Sequence, residues 1–210
     1  MTYKKERGMG MELKIPENFF VGAAMSGPQT EGAYKTGGRL ESIWDTWSDL
    51  SISDFYNKVG SYVGNNFYEK YEDDIKLLKS LHMDSFRTSM QWSRLLTKDG
   101  KLNQEGAQFY HKVCKCAKEN QIELFMNLYH FDMPTYLFER GGWESRDVVE
   151  AYAAYARAAF REFGSEIRYW FTFNEPIVEP DQRYRNGFWY PFIKDRSEER
   201  RVGKECFGWC

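Results

Sequence analysis

In this 210-residue sequence the group best suited to chemistry is Glu175, within the run Thr172-Phe-Asn-Glu-Pro176. That run overlaps the end of IRYWFTF, Ile167 to Phe173, an apolar segment that reads as a β-strand. A carboxyl group at a strand end can act as general acid or base if its surroundings keep it protonated near neutrality. Cleavage of a glycosidic bond asks for such a group. It must give a proton to the leaving oxygen and later take one back. A second carboxylate nearby raises the first one's pKa, and its charge disappears once it is covalently bound to the sugar. Asn174 can hydrogen-bond a sugar 2-hydroxyl, a contact that strengthens toward an oxocarbenium-like transition state. The competing reading of Glu175 is a strand-end residue that caps the next helix. Asn-Glu-Pro by itself leaves both readings open.

The composition narrows the setting. Seven Trp, fourteen Tyr and sixteen Phe make the chain 18% aromatic. Such an excess fits a large aromatic core, and it also fits a cleft where pyranose rings stack on flat π-faces. A net charge of −2 favours neither nucleic acid nor an anionic membrane surface as a partner. No apolar run approaches the roughly 18 residues of a membrane span. The opening MTYKKERGMGMELKIPENFF lacks the apolar core of a secretory signal, so a cytoplasmic location is expected. His82, His111 and His130 are scattered. Cys114 and Cys116 lie on a predicted helix facing different sides, so neither a metal site nor a disulfide is expected.

Positioning Glu175 requires a scaffold, and four strand–helix units can be read. The strands are Phe19 to Ala24, Asp84 to Ser89, Ile122 to Leu128 and Ile167 to Phe173. Between them run three apolar stripes: Phe67, Tyr71, Ile75 and Leu78; Phe109, Val113 and Ala117; and Val148, Tyr152, Tyr155, Ala159 and Phe163. Asn103 and Ser145 read as N-caps, and Gly164 as the C′ residue of the third helix. The order β-α-β-α-β-α-β predicts an α/β fold with a parallel sheet and right-handed crossovers. The polar and aromatic loops all follow strand C-termini, the face where barrel enzymes do chemistry. Since a whole barrel takes roughly 250 residues, about half of one is expected here.

The segments FFVGAAMSGPQTEGAY, SIWDTW, DSFRTSMQWSRL, LYHFDMP, GGW and WFTFNEP occur in an order and spacing that resembles glycoside hydrolase family 1 over residues 15–194. The resemblance implies a (β/α)8 TIM barrel, here truncated to about its first four βα units. It implies hydrolysis of small-molecule β-glycosides with retention, and no cofactor or metal. Carried over by position, Glu175 is the acid/base and Asn174 the 2-hydroxyl partner. Gln29 binds distal sugar hydroxyls, His130 donates to the 3-hydroxyl, and Arg87 contacts the nucleophile and keeps it ionised. Each has a plainer alternative: Gln29 satisfying its own turn, His130 as a structural histidine, Arg87 in a barrel ion pair. Trp92 and Trp143 read as packing residues. Many family members carry Trp where this chain has Phe131, so an indole contact is absent there.

The family's nucleophile is a second Glu in an ENG motif after strand seven. No ENG occurs in this sequence, and Glu31 and Glu179 read as structural. The expectation is a fragment that lacks the nucleophile and is inactive alone; the alternative is an inert sugar-binding half-barrel. MSGPQTEG, GRLESIWD and YVGNNFYEKY look most like the 6-phospho-β-glucosidase branch, whose substrates arrive phosphorylated through phosphotransferase uptake. A plain β-glucosidase or β-galactosidase is the alternative within the family.

The expected domain layout is an N-terminal extension over 1–14, the half-barrel over 15–194 and a non-native or disordered tail over 195–210. RSEERRVGKEC in that tail resembles translated sequencing-adapter DNA. Resequencing the genomic DNA across this junction checks the tail: the expected result is a different native frame, and a contiguous frame running into RSEERR would remove the idea.

Overall fold

The computed structural model describes residues 14–194. The expected tail, with Cys206 and Cys210, lies outside the described residues, as does nearly all of the expected N-terminal extension. Strands and helices alternate: β1 Gly22–Ala24, α1 Phe67–Ser80, β2 Ser85–Ser89, α2 Gln104–Glu119, β3 Glu123–Tyr129, α3 Arg146–Phe163 and β4 Tyr169–Phe173. The sheet order is β1-β2-β3-β4, and every neighbouring pair is parallel. These four strands and the three helices between them are consecutive elements of a (β/α)8 barrel, the fold the sequence predicts.

β1 is shorter than expected for a physical reason. The Val21 amide donates to the Asp84 side chain (2.7 Å) rather than to a ladder carbonyl, so regular pairing begins at Gly22. A Cβ on Gly22 would collide with the Ser85 carbonyl oxygen, so only glycine lets the two strands approach there.

The helix boundaries follow the caps, with one correction. Asn103 and Ser145 occupy the N-cap positions, both with extended backbone. Gly164 ends α3 as predicted in place but not in conformation. Its φ is −63°, so the left-handed C′ turn expected of it does not form. His82 and Gln121, after α1 and α2, carry that positive φ instead, at 58° each.

One apolar layer joins helices to sheet. Leu124, Met126 and Leu128 of β3 are buried in a single cluster with Val113, Ala117, Tyr155, Ala159 and Phe163. The Tyr155 hydroxyl contacts the carbonyls of Met90 (3.2 Å) and Leu128 (2.9 Å), satisfying buried oxygens where β2 and β3 end. Trp92 stacks on Tyr155 at 5.3 Å, and Trp143 meets Tyr129 edge-on at 5.0 Å, so both tryptophans pack as expected.

The other sheet face is aromatic and open. Arg87, Phe125 and Tyr169 are in register across β2, β3 and β4. Phe125 stacks on Tyr169 at 4.6 Å, Phe20 sits edge-on to Phe125 at 5.3 Å, and the Arg87 guanidinium lies 5.2 Å from the Phe171 ring centre. Phe19 (58%), Phe20 (43%), Val21 (41%) and Phe171 (43%) are exposed at the two sheet edges. Unpaired edges with apolar side chains are templates for association. The chain alone is therefore expected to self-associate, and size-exclusion chromatography with light scattering checks it. A monodisperse, cooperatively melting monomer would contradict this.

Candidate active site

Parallel strands deliver their C-terminal loops to one end of the sheet, and a cavity of about 580 Å³ opens there. Three of the residues singled out in the sequence line it: Gln29, His130 and Glu175. They come from the loops after β1, β3 and β4. Trp44, Phe55, Phe131, Val178 and Trp189 supply apolar walls.

Each polar residue has a definite support. Gln29 sits in the single turn Gly27–Thr30, whose first amide donates to Ser89 Oγ at 2.8 Å. The Ser26 hydroxyl donates to Gln29 Oε1 at 2.6 Å. This is the local turn contact named as the plainer reading of Gln29, and the side chain lines the cavity as well. Glu175 is exposed and is the only carboxylate among the lining residues. Its φ of 40° lies in the left-handed region, which costs a non-glycine residue on the order of 1–2 kcal/mol. Phe131 shares this at 67°. Strained backbone of this kind collects at functional sites.

Arg87 and Asn174 are not among the residues that line the cavity, but they back it. Arg87 Nη2 donates to Asn174 Oδ1 at 2.7 Å, and Asn174 Nδ2 contacts Glu175 Oε2 at 3.4 Å. The buried Asn174 thereby links the cation on β2 to the candidate acid after β4. No carboxylate pairs with Arg87 among the described residues, so the barrel ion pair considered for it is not formed there.

His130 is strongly perturbed. Burial, and after it the Arg87 charge, push its pKa down to about 4. A neutral imidazole keeps one N–H to donate and one nitrogen to accept. The neighbouring Asp132 is fully buried and accepts from the amides of Trp92 (2.8 Å) and His130 (3.3 Å), tying the β2 and β3 loops together. Burial outweighs those bonds and raises its carboxyl to about 7.

Glu31 and Glu179 are held in buried ion pairs, with Arg94 (2.7 Å) and Arg183 (3.0 Å), in keeping with their structural reading. Among the described residues, no group of three or more His, Cys, Asp or Glu could hold a metal, and no helix is long and apolar enough to cross a membrane. Cys114 and Cys116 are both buried and free. Sequence reasoning missed the wall residues Trp44 and Trp189, which meet at 5.2 Å. Trp44 lies within the SIWDTW segment that carries the resemblance, but the only sequence signal that these residues line a cavity was the aromatic excess.

Comparisons with known proteins fit this geometry. The family model for glycosyl hydrolase family 1 matches residues 11–204. The 6-phospho-beta-glucosidase GmuD of Bacillus subtilis (strain 168) is 42% identical over 193 residues, covering 91% of this chain and 42% of that protein. Beta-glucosidase A of Acetivibrio thermocellus is 36% identical over 185 residues, covering 88% and 41%. The solved family 1 β-glucosidase from Thermotoga maritima matches with a TM-score of 0.84 at 31% identity, over 90% of this chain and 43% of that one. The chain spans about two fifths of the length of these curated relatives.

The His130 environment gives a pH test. Free histidine titrates near 6.5, so between about pH 6.5 and 4 the unfolded chain takes up a proton that the folded chain refuses. The histidine's contribution to stability is full above that window and is lost as pH falls through it. In an NMR titration the His130 imidazole is expected to protonate near pH 4, and Arg87→Met to raise that value. Titration near 6.5 would show that neither burial nor Arg87 acts on it.

Proposed function

Because this chain belongs to glycosyl hydrolase family 1, we propose that it carries the acid/base part of a retaining β-glycosidase site, with Glu175 as the proton donor. The observation that carries this reading is Glu175 on one wall of a cavity shared with Gln29 and His130. In the proposed reaction, protonated Glu175 gives its proton to the glycosidic oxygen while the C1–O bond breaks and a nucleophilic carboxylate bonds to C1. The aglycone leaves as an alcohol. The Glu175 carboxylate then takes a proton from water as that water attacks C1, the bond from C1 to the nucleophile breaks and returns its carboxylate, and the sugar leaves with its configuration retained.

Asn174 serves the 2-hydroxyl, His130 the 3-hydroxyl and Gln29 the distal hydroxyls. Retention needs two carboxyls about 5 Å apart, and Glu175 is the single one lining the cavity among the described residues. The nucleophile is therefore assigned to chain outside these residues, and a chain without it is inactive. Arg87 is proposed to hold that incoming carboxylate ionised.

The substrate class is proposed to be 6-phospho-β-glucosides. The Bacillus subtilis relative, 42% identical, bears that name, and three segments of this chain resemble that branch. The second reading, a plain β-glucosidase, is favoured by relatives such as the Acetivibrio thermocellus enzyme.

One experiment addresses both. The full-length gene product is assayed on aryl β-glucosides with and without a 6-phosphate, beside its Glu175→Gln variant. The expected outcome is preference for the phosphorylated substrate, with Glu175→Gln lowering kcat on poor leaving groups by about 10³-fold or more while binding persists. Preference for the plain substrate overturns the phospho reading. Full activity in Glu175→Gln overturns the acid/base assignment.

A further inference from the structure

Behind the cavity runs a chain of buried polar side chains that the reaction scheme does not use. Arg94 Nε donates to Glu31 Oε2 at 2.7 Å, and the Tyr110 hydroxyl donates to Glu31 Oε1 at 2.8 Å. Separately, Arg39 Nη2 pairs with Asp45 Oδ2 at 2.8 Å, and Asp45 accepts from the Ser42 amide (2.8 Å), the Ser42 hydroxyl (2.7 Å) and the Ser61 hydroxyl (3.2 Å). Gln91 joins the two groups. Its Nε2 donates to Glu31 Oε2 at 2.7 Å, and its Oε1 accepts from Arg39 Nε at 3.1 Å. Glu31, Arg39, Asp45, Gln91 and Arg94 are all 6% exposed or less.

The chemistry at position 91 is restrictive. A carboxylate only accepts and a guanidinium only donates, so the residue between them must offer one of each. Those two partners also fix which way the amide points. Glutamate there would set like charge against Glu31, and an apolar residue would leave both ions short of a buried bond. Arg39 Nη1 already lacks a hydrogen-bond partner among the described residues, so that guanidinium has little to spare.

Each end of the chain holds one wall of the cavity. Glu31 directly follows the turn Gly27–Thr30 that carries Gln29, and its amide closes that turn on the Gly27 carbonyl at 2.9 Å. Asp45 sits in the first turn of the helix Ile43–Leu50, beside Trp44, and reaches back to the Ser42 amide as an N-terminal cap. Both Gln29 and Trp44 line the cavity. We infer that Gln91 is a positioning residue that couples the Gln29 wall to the Trp44 wall, so that the two sides of the cavity are set together. Its bearing on specificity rests on the glycosidase reading above; the coupling itself does not.

Hydrogen exchange read by mass spectrometry on the full-length gene product tests the coupling without any substrate. Gln91→Met, close in volume, is expected to speed exchange about tenfold in both segments, 27–32 and 43–50, while α3 is unchanged. A change in one segment alone, or in neither, overturns the coupling. Gln91→Glu covers the case in which the Met variant does not fold. It keeps an acceptor for Arg39 but repels Glu31, so segment 27–32 should loosen more than 43–50, and equal effects or none overturn the proposal. In the full-length enzyme, Gln91→Met is expected to raise KM for aryl β-glycosides about tenfold with kcat little changed. An unchanged KM overturns the positioning role. An enzyme that turns over no β-glycoside refutes the functional reading, and the exchange result still judges the coupling.

Discussion

The structure depends first on strand direction. All four strands are parallel and paired in chain order, so every loop after a strand emerges at the same end. That constraint brings Gln29, His130 and Glu175, which are far apart in the chain, to one cavity. It also separates two tasks. The helix-facing side of β3 is buried in the apolar cluster, while the loop end tolerates exposed polar groups and strained backbone at Phe131 and Glu175. Chemistry at the loops can therefore vary without disturbing the layer that holds the strands.

The site is built from ions that would be unfavourable alone. Removing charge from water is costly, and a buried pair breaks even only when its remaining donors and acceptors are also met. Arg94 satisfies this closely: Glu31 on Nε, the carbonyls of Thr36 and Gly32 on its other nitrogens at 3.2 Å each, and the Tyr68 ring at 4.4 Å. One guanidinium thus fixes three points of the loop after β1. Arg87 is bound differently. Among the described residues it has a single neutral acceptor, Asn174, and an exposed aromatic ring, and its charge depresses the neighbouring His130 after burial has done the larger part.

Much of the scaffold was legible in the sequence, because apolar spacing reports burial directly. Ile75, Val113, Ala117, Val148, Tyr155, Ala159 and Phe163, named from their stripes, are all buried. The misreadings lie where side chains or turns override pattern: Asp84 intercepts the start of β1, and Gly164 stays right-handed. The helix Ile43–Leu50 went unread although Ser42 and Asp45, three residues apart, are a capping signal. Asn-Glu-Pro alone left Glu175 ambiguous; the resemblance across several segments, not spacing, singled out Gln29 and His130. The Gln91 network was invisible for a different reason. The bonds that join Gln91 to Arg39 and Glu31 span 52 and 60 residues, and no local periodicity encodes a partner that distant.

The pairing of each strand only with its predecessor in the chain has a consequence during synthesis. β2 finds β1 already made, β3 finds β2, and β4 finds β3. No strand waits for a later one to fill a gap between neighbours, so each closure spans a single crossover and each strand can dock on the one before it as it leaves the ribosome. Growth proceeds at the β4 edge while the β1 edge also stays unpaired, and in a (β/α)8 barrel the aromatic inner face is enclosed only when those two edges are joined through further strands.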